Sequence, residues 1–351
     1  MSQTGGKRPG ISRRAISLVI FWPFAGLLGC APRAAEEVVV YTALDEEFSR
    51  PIFEQFTRDT GIAVRAKFDV ESTKSVALTQ AIFGERDRPR CDVFWNNEVV
   101  NTLRLEQADL LAPFESPVGR AYPAQFRSPD GAWHGFAARA RVLLVNTNLI
   151  GEGERPGSIR DLIDAKWNDR AGIAKPLAGT TATHAACLFA AWGDVAAQEF
   201  FRAVKRNARV MGGNKQVARA VAEGELAWGL TDTDDAIIEV ESGLPVVIVY
   251  PDQTGDDALG TLMIPNTLAI IRGAAHRSAA EQLVNYLLSP QNEERLARGP
   301  SAQFPLNPNM KVKSRAAPEK PIRAMEVDFE AAAAKWDEAA RFLRDEFATS
   351  G

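Results

Sequence analysis

The chain has 351 residues, 46% of them hydrophobic, and a formal net charge of −4. This length exceeds the size at which one hydrophobic core keeps growing, so two lobes are expected. The acidic balance argues against nucleic acid as a partner. Beyond residue 30, cysteine occurs only at Cys91 and Cys187, in segments that we place in different lobes. We therefore expect two buried free thiols rather than a disulfide.

The first 30 residues have the pattern of an export signal. Basic residues without acids precede an apolar run at 15–28, which is too short to span a bilayer, and a small-residue exit follows. The exit LLGC resembles a bacterial lipobox, which makes Cys30 the expected lipidation site. The alternative is that Cys30 merely lies near an ordinary cleavage site. We expect a protein in the periplasm or at the outer face of the membrane, which it contacts only through a lipid anchor.

Strands and helices alternate along the rest of the chain. EVVVYTA at 37–43 precedes a helix with apolar residues at helical spacing, which Gly61 ends. A strand, a helix and the buried strand CDVFW come next, and a second alternating set begins near residue 140. This alternation predicts an α/β fold with parallel strands and helices on both faces of each sheet.

The two sets of elements are expected to form two lobes with a ligand cleft between them. A Pro-, Gly- and Ser-rich stretch at 116–135 is the expected passage from the first lobe to the second. The later segment TLMIPNTLAIIRG and the helix after it are expected to complete the first lobe, so the chain crosses a hinge more than once. The predicted lobes are 36–138 with 262–306, and 139–261 with 307–351.

Polar side chains follow four of the predicted strands. In chain order they are Asp45, Asn97, Glu98, Thr180, Thr181, Asp232, Asp234 and Asp235. Each could be only a helix cap, since short oxygen-bearing side chains satisfy the first amides of a helix. Ligands of open α/β folds lie off the carboxyl ends of the strands. Four such groups from both lobes therefore favour one shared polar site.

The segment AGTTATHAACLF is the best candidate for binding an anion. Gly179, Thr180 and Thr181 at a helix start offer amides, hydroxyls and the positive end of the helix dipole to an oxyanion. Arg139 and Arg141 could add charge-assisted contacts. We expect only one of these arginines to face the cleft, and we choose Arg139 because it is nearer the crossover.

Sequence templates for catalysis are absent. The chain has no G-x-S-x-G, H-E-x-x-H or G-x-x-x-x-G-K-[ST] motif, and its three histidines are scattered singly. A hydrolase that uses Asp232 and Asp234 as paired carboxylates is an alternative. We expect a binding protein rather than an enzyme.

Five segments together resemble the periplasmic solute-binding proteins of ABC importers. They are VVVYTALDEEFSRPIFEQFTRDTGIAV, CDVFWNNE, LIDAKWNDRAGIAKP, AVAEGELAWGL and SAQFPLNPNM, in that order over residues 37–310. The resemblance is to the ferric-ion-binding branch. It implies the type II fold, in which two lobes enclose the ligand cleft.

That branch holds iron with a histidine after the first strand, a glutamate after the D-V-F strand and a consecutive tyrosine pair. Here the histidine position is Asp45, and Glu98 or Asn97 matches the glutamate. Asp234 and Asp235 replace the tyrosine pair. If a metal binds, either Fe³⁺ or a divalent ion, the resemblance therefore implies Asp45, Glu98, Asp234 and Asp235 as ligands.

The branch also holds a synergistic anion, and Thr180, Thr181 and Arg139 match that site. Carboxylates bind divalent ions, ammonium groups and sugar hydroxyls as well as iron. A phosphonate or sugar phosphate, with its oxyanion on these three residues and the acidic groups at its other end, is thus an alternative to ferric iron. The resemblance implies a monomeric receptor without a permanent cofactor that delivers its solute to an ABC permease and ATPase. A sensory ligand-binding module is the alternative.

Overall fold

The structure is a computed structural model of the chain and describes residue 10, residues 36–70 and residues 73–348. The predicted signal peptide and lipobox at 1–30, with Cys30, lie outside the described residues, apart from Gly10. None of the described helices is both long enough and apolar enough to cross a membrane.

The described residues form nine strands and ten α-helices in the predicted alternation. The strands are β1 Glu37–Thr42, β2 Ala63–Phe68, β3 Val93–Asn96, β4 Trp133–Asn146, β5 Ala171–Ala174, β6 Arg209–Met211, β7 Trp228–Asp232, β8 Val246–Val249 and β9 Met263–Ile270. The helices are α1 Glu46–Thr60, α2 Val76–Gly84, α3 Val100–Gln107, α4 Gly179–Trp192, α5 Asp194–Asn207, α6 Asn214–Ala222, α7 Thr233–Glu241, α8 Arg277–Leu287, α9 Pro290–Arg298 and α10 Phe329–Phe347.

The strands follow the order β2-β1-β3-β9-β4-β7-β5-β6, with β8 also on β4. Strand β1 pairs in parallel with β2 and β3, and β5 pairs in parallel with β6 and β7. Strands β9 and β4 run antiparallel to their neighbours between these two parallel sets. The carboxyl ends of β1, β3, β5 and β7 are therefore the places where the predicted polar side chains emerge.

Strand β4 takes part in both halves of the sheet. Its first part pairs with β9, and its second part, from Arg141 onward, pairs with β7 and β8. The register shifts between Phe136 and Ala138, where Ala137 has a φ of 42°. A non-glycine residue in this left-handed region needs support from its surroundings.

Glu293 of α9 supplies that support. Its carboxylate is fully buried and accepts from the N–H of Ala137 at 2.9 Å, of Leu306 at 2.8 Å and of Asn307 at 3.1 Å. Burial raises the pKa of this carboxyl, although the amides act in the opposite direction. One side chain thus fixes the crossing strand to the segment after α9.

The apolar spacing of α1 places one face of the helix in the core, as predicted. Phe48, Ile52, Phe53 and Phe56 are buried and pack with the inner residues of β1. Gly61 ends the helix with a φ of 76°, which glycine adopts without steric cost. This packing fixes the start of α1 at the carboxyl end of β1.

Cys91 and Cys187 are buried free cysteines, as predicted. Burial raises the pKa of both thiols well above the usual range. Because the thiolate is the reactive form of cysteine, both side chains behave as apolar core residues.

Candidate functional site

The carboxyl ends of the parallel strands converge on a cavity of about 270 Å³. Most of the binding residues predicted from the sequence line this cavity. They are Asp45, Asn97, Arg139, Thr180, Thr181, Asp232, Asp234 and Asp235. Residues that lie far apart in the sequence, and on both parallel sets of strands, therefore form one polar wall.

Asp232, the last residue of β7, is held by an unusually complete set of donors. Its Oδ1 accepts from Arg141 Nη1 at 2.7 Å. Its Oδ2 accepts from the Thr180 hydroxyl at 2.5 Å and from Asn214 Nδ2 at 3.0 Å, and Arg139 Nη1 lies 3.6 Å from the same oxygen. All five side chains are buried. Charge-assisted hydrogen bonds of this kind are stronger than neutral ones and offset the loss of hydration.

Only one of the two arginines, Arg139, lines the cavity, although both side chains lie on the same face of β4. Residues two positions apart in a strand point to the same face, and both guanidinium groups reach Asp232. Arg139 lines the cavity and pairs with Asp234 at 3.1 Å. Arg141 is fully buried and is absent from the cavity wall. Arg139 is therefore the arginine next to the cavity.

We expected oxyanion-binding residues at one end of the cavity and acidic residues at the other end, and this separation is not observed. Thr180 donates to Asp232, and Arg139 pairs with Asp234. The groups expected to hold an oxyanion and the groups expected to face it are hydrogen-bonded to each other. The cavity thus has interleaved charges rather than two poles.

Helix capping does not account for the aspartates at the start of α7. Asp232 is the N-cap residue, but its side chain makes no capping hydrogen bond. The Thr233 hydroxyl accepts from the N–H of Ala140 at 3.1 Å, and Asp234 accepts from the N–H of Asp235 at 3.2 Å. Carboxylate oxygens of Asp232, Asp234 and Asp235 lie within 4.8 Å of one another. This spacing would allow the three carboxylates to bind one metal ion. In such a site, Asp232 would take the place of the predicted ligands Glu98 and Asp45.

Glu98 is the predicted ligand that the structure places outside the cavity wall. Its fully buried carboxylate accepts from the N–H of Asn101 at 3.1 and 3.2 Å, from Asn96 Nδ2 at 2.6 Å and from the Thr183 hydroxyl at 2.7 Å. It therefore caps α3 and ties that helix to α4. The adjacent Asn97 lines the cavity instead, and its buried Oδ1 has no hydrogen-bond partner within the described part of the chain.

Three further polar residues of the wall were not predicted: Lys74, Lys175 and Asn214. Lys74 forms an ion pair with Asp45, and its carbonyl oxygen accepts from the N–H of Gly179 at 2.9 Å. The two lysines lie outside regular elements, so periodicity could not place them. The position of Asn214 could have been predicted from the sequence, because Gly212-Gly213-Asn214 begins a helix after a strand, as Gly179-Thr180-Thr181 does.

The first turn of α4 faces the cavity without a capping side chain, because its N-cap position holds Ala178. The first N–H groups of a helix have no partner within the helix, and the helix dipole adds positive potential at this end. Apart from the N–H of Gly179, which donates to the Lys74 carbonyl oxygen, the backbone of this turn therefore offers a surface suited to an anion.

Electrostatics keep Asp232 ionised. Burial raises the pKa of its carboxyl, but the charges of Arg141 and Arg139 outweigh burial and lower it below the usual value. For Arg139, burial lowers the pKa, and the carboxylates of Asp234 and Asp232 raise it above the usual range. Burial and the Asp232 charge raise the pKa of Asp234.

His184 lies one turn into α4 and is buried. Burial and the nearby charge of Arg141 lower its pKa to about 3. The imidazole therefore stays neutral, and it does not line the cavity.

Comparisons with known proteins establish the family. The sequence profile of the bacterial extracellular solute-binding proteins matches residues 97–331. The chain belongs to this family. The resemblance to periplasmic solute-binding proteins that the sequence motifs indicated is thereby confirmed.

The relatives of this solute-binding protein include iron receptors. The major ferric iron-binding protein of Neisseria meningitidis is 24% identical over 82% of this chain and 86% of that protein. The Fe(3+)-binding periplasmic protein of Serratia marcescens is 24% identical over 85% of this chain and 87% of that protein.

Solved structures show the fold. Iron-bound HitA from Pseudomonas aeruginosa superposes with a TM-score of 0.77 at 24% identity, covering 89% of this chain and 99% of HitA. AfuA from Actinobacillus pleuropneumoniae, solved with exogenous fructose-6-phosphate bound, gives a TM-score of 0.77 at 20% identity over 90% of this chain and 99% of AfuA. The predicted two-lobed periplasmic binding protein fold is confirmed.

Proposed function

We propose that this solute-binding protein captures a small organic solute that carries an oxyanion, of the phosphonate or sugar phosphate class, and delivers it to an ABC permease and ATPase complex. The observation that carries the proposal is the first turn of α4, which lacks a capping side chain and faces the cavity beside Lys74 and Lys175. Binding energy drives closure of the two lobes, and no covalent step takes place.

The size and charge of the cavity support an organic ligand. Its volume of about 270 Å³ is far more than the roughly 10–15 Å³ that a single water-sized occupant needs. An oxyanion at the start of α4 would place the rest of the solute toward Asn97 and Asp235, which line the cavity. Amine or hydroxyl donors on the solute would satisfy the buried Oδ1 of Asn97. AfuA, a neighbour with the same fold, was solved with such a sugar phosphate bound.

Ferric iron with an accompanying anion is the second candidate. The carboxylates of Asp232, Asp234 and Asp235 lie close enough together for one ion, and the relatives named above bind iron. Asp45 also lines the cavity, whereas Glu98 and Asp232 would both have to give up hydrogen bonds to bind an ion there. No tyrosine is among the residues that line the cavity in the described chain.

Analysis of the purified protein separates the two candidates. Native mass spectrometry identifies any organic solute that copurifies, and metal analysis of the same sample measures iron. We expect a colourless protein that binds 2-aminoethylphosphonate or fructose 6-phosphate in calorimetry. Stoichiometric iron in the purified protein would refute the organic-solute proposal. A purple or red colour would in addition indicate phenolate ligands, which no tyrosine in the described cavity wall supplies.

Lys175 tests the oxyanion end of the site. We expect Lys175→Ala to weaken binding of each anionic solute by about tenfold, or ~1.4 kcal/mol, because the oxyanion loses a countercharge. Lys166→Ala is the matched control, since Lys166 pairs with Asp164 away from the cavity. Equal affinities for both variants would show that the oxyanion does not bind beside Lys175.

We further propose that the protein lies in the periplasm, is anchored through lipidated Cys30 and acts as a monomer. Cys30→Ser should release the protein from the membrane fraction while leaving solute affinity unchanged. Deletion of the protein should abolish uptake of the solute. Loss of a transcriptional response with uptake intact would favour the sensory alternative, and turnover of phosphoesters that depends on Asp232 or Asp234 would favour the hydrolase.

A further inference from the structure

The groups around Asp232 are those that would bind a free oxyanion. Arg141 donates at 2.7 Å, the Thr180 hydroxyl at 2.5 Å and Asn214 at 3.0 Å. These donors come from β4, α4 and α6, and all of them are buried. Charged and neutral donors that converge from three elements on one carboxylate form a built anion site. We refer to Arg141, Thr180 and Asn214 as the anion seat.

The anion seat adjoins the ligand cavity. Asp232, Thr180 and Asn214 all line the cavity, so a small anion that enters the cavity can reach the seat once the carboxylate is removed. Arg141 lies behind them and is fully buried. A buried guanidinium without a counterion is costly, so the seat strongly favours a negative charge.

We propose that Asp232 acts as a tethered anion that occupies the seat and excludes free oxyanions from it. A carboxylate that is already part of the chain loses no translational freedom when it occupies the seat, whereas a free anion does. Asp232 is therefore a specificity-determining residue. If the proposed function holds, it keeps the oxyanion of the solute off the Thr180 hydroxyl and leaves the backbone N–H groups at the start of α4 and Lys175 to bind it.

The proposal also assigns different roles to neighbouring aspartates. Asp232 uses both carboxylate oxygens on donors of the protein. Asp235 is only partly buried and lies on the cavity side of α7. The carboxylate of Asp232 is thus held by donors of the protein, whereas Asp235 is a partly exposed acid of the cavity wall.

Chemical rescue tests the tethered anion directly. Asp232→Ala removes the carboxylate and leaves a gap that matches formate. We expect formate to raise the thermal midpoint of Asp232→Ala by roughly 5 °C at saturation, since a ligand that binds only the folded state stabilises it. Sodium chloride at equal ionic strength is the control for salt. Wild type should shift by less than about 1 °C under the same conditions.

Two further variants are controls for the rescue by formate. Asp232→Asn keeps the gap filled and should show no rescue by formate. Asp235→Ala removes a neighbouring carboxylate outside the seat and should also show none. If Asp232→Ala does not fold, Asp232→Ser is used, and its midpoint should rise with formate in the same way. Rescue equal to that of the wild type or of Asp235→Ala, or absence of rescue in the Ala or Ser variant, would overturn the proposal.

This readout does not depend on the organic solute. Rescue with no binding of any phosphonate or sugar phosphate would refute the proposed function alone. Binding of such a solute without rescue would refute the tethered anion alone.

Discussion

Asp232 and Glu293 are both buried carboxylates, but they belong to different regions of the molecule. Asp232 lies at the cavity and is held by side chains, two of them arginines. Glu293 lies at the crossing point of β4 and is held by three backbone amides. Burial alone therefore does not identify a functional acid. In these two cases the position decides, because Asp232 lines the cavity and Glu293 does not.

The two carboxyls also differ in their electrostatic state. Arginine charges lower the pKa of Asp232, although burial acts against them. Burial raises the pKa of Glu293, because its partners carry only partial charges. The comparison predicts that loss of charge is more damaging at Asp232 and that loss of the hydrogen-bond acceptor is more damaging at Glu293.

Asp232→Asn should have the largest effect on stability. It keeps the size of the side chain but leaves Arg141 without its ionised partner, which typically costs about 3 to 5 kcal/mol. Urea unfolding measures the free energy. Asp235→Asn is the control and should cost less than about 1 kcal/mol, because its side chain is only partly buried. Similar losses in both variants would remove the distinction between the two aspartates.

Glu293→Ala should lower the free energy of unfolding by about 2 to 4 kcal/mol, because it leaves buried amides at the crossing point without an acceptor. Glu293→Gln should cost less than half of that, since the amide oxygen still accepts. Urea unfolding of both variants measures the difference. The adjacent Glu294→Ala removes only an exposed pair with Arg298 and should cost about 0.3 to 0.5 kcal/mol. Equal losses for the Ala and Gln variants would show that charge, not the acceptor, matters at Glu293.

His184 should make stability fall in mild acid. Its pKa is about 3 in the folded protein and about 6.5 in the unfolded chain. Below about pH 6.5 the unfolded state therefore binds a proton that the folded state does not, and stability falls as pH decreases. Between pH 7 and pH 5, wild type should lose about 1 to 2 kcal/mol more than His184→Asn. Parallel pH profiles for the two proteins would contradict this prediction.

Thr183→Val should have the smallest effect. It removes the hydroxyl that donates to Glu98 at 2.7 Å and should cost about 1 kcal/mol. Thr183→Ser keeps the donor and should cost less. Calorimetry should show unchanged solute affinity for both variants, because Glu98 lies outside the cavity wall. A loss of solute affinity in the Val variant but not in the Ser variant would indicate that Glu98 takes part in solute binding.

The sequence was sufficient to predict most of the polar residues that line the cavity, because strand ends can be located from alternating elements. Asp45 and Thr180 were found in this way. The sequence could not show whether Asn97 or Glu98 lines the cavity. Neighbouring residues in a turn point in different directions, and only tertiary packing selects the one that faces the cavity. Lys74 and Lys175 lie outside regular elements, where no periodicity applies. A period of two places Arg139 and Arg141 on the same face of β4, so the position in the strand could not decide which of them lines the cavity.

Strand β9 lies between β3 and β4 in the sheet, although it follows both of them far along the chain. During synthesis, one edge of β3 therefore remains unpaired until residues 263–270 have left the ribosome. Strands β4, β5, β7 and β8 can pair earlier, because their partners lie closer in sequence. Long-range pairing carries a high loop-closure entropy and slows folding. The position of one strand thus sets a folding order in which the half of the sheet made first is completed last.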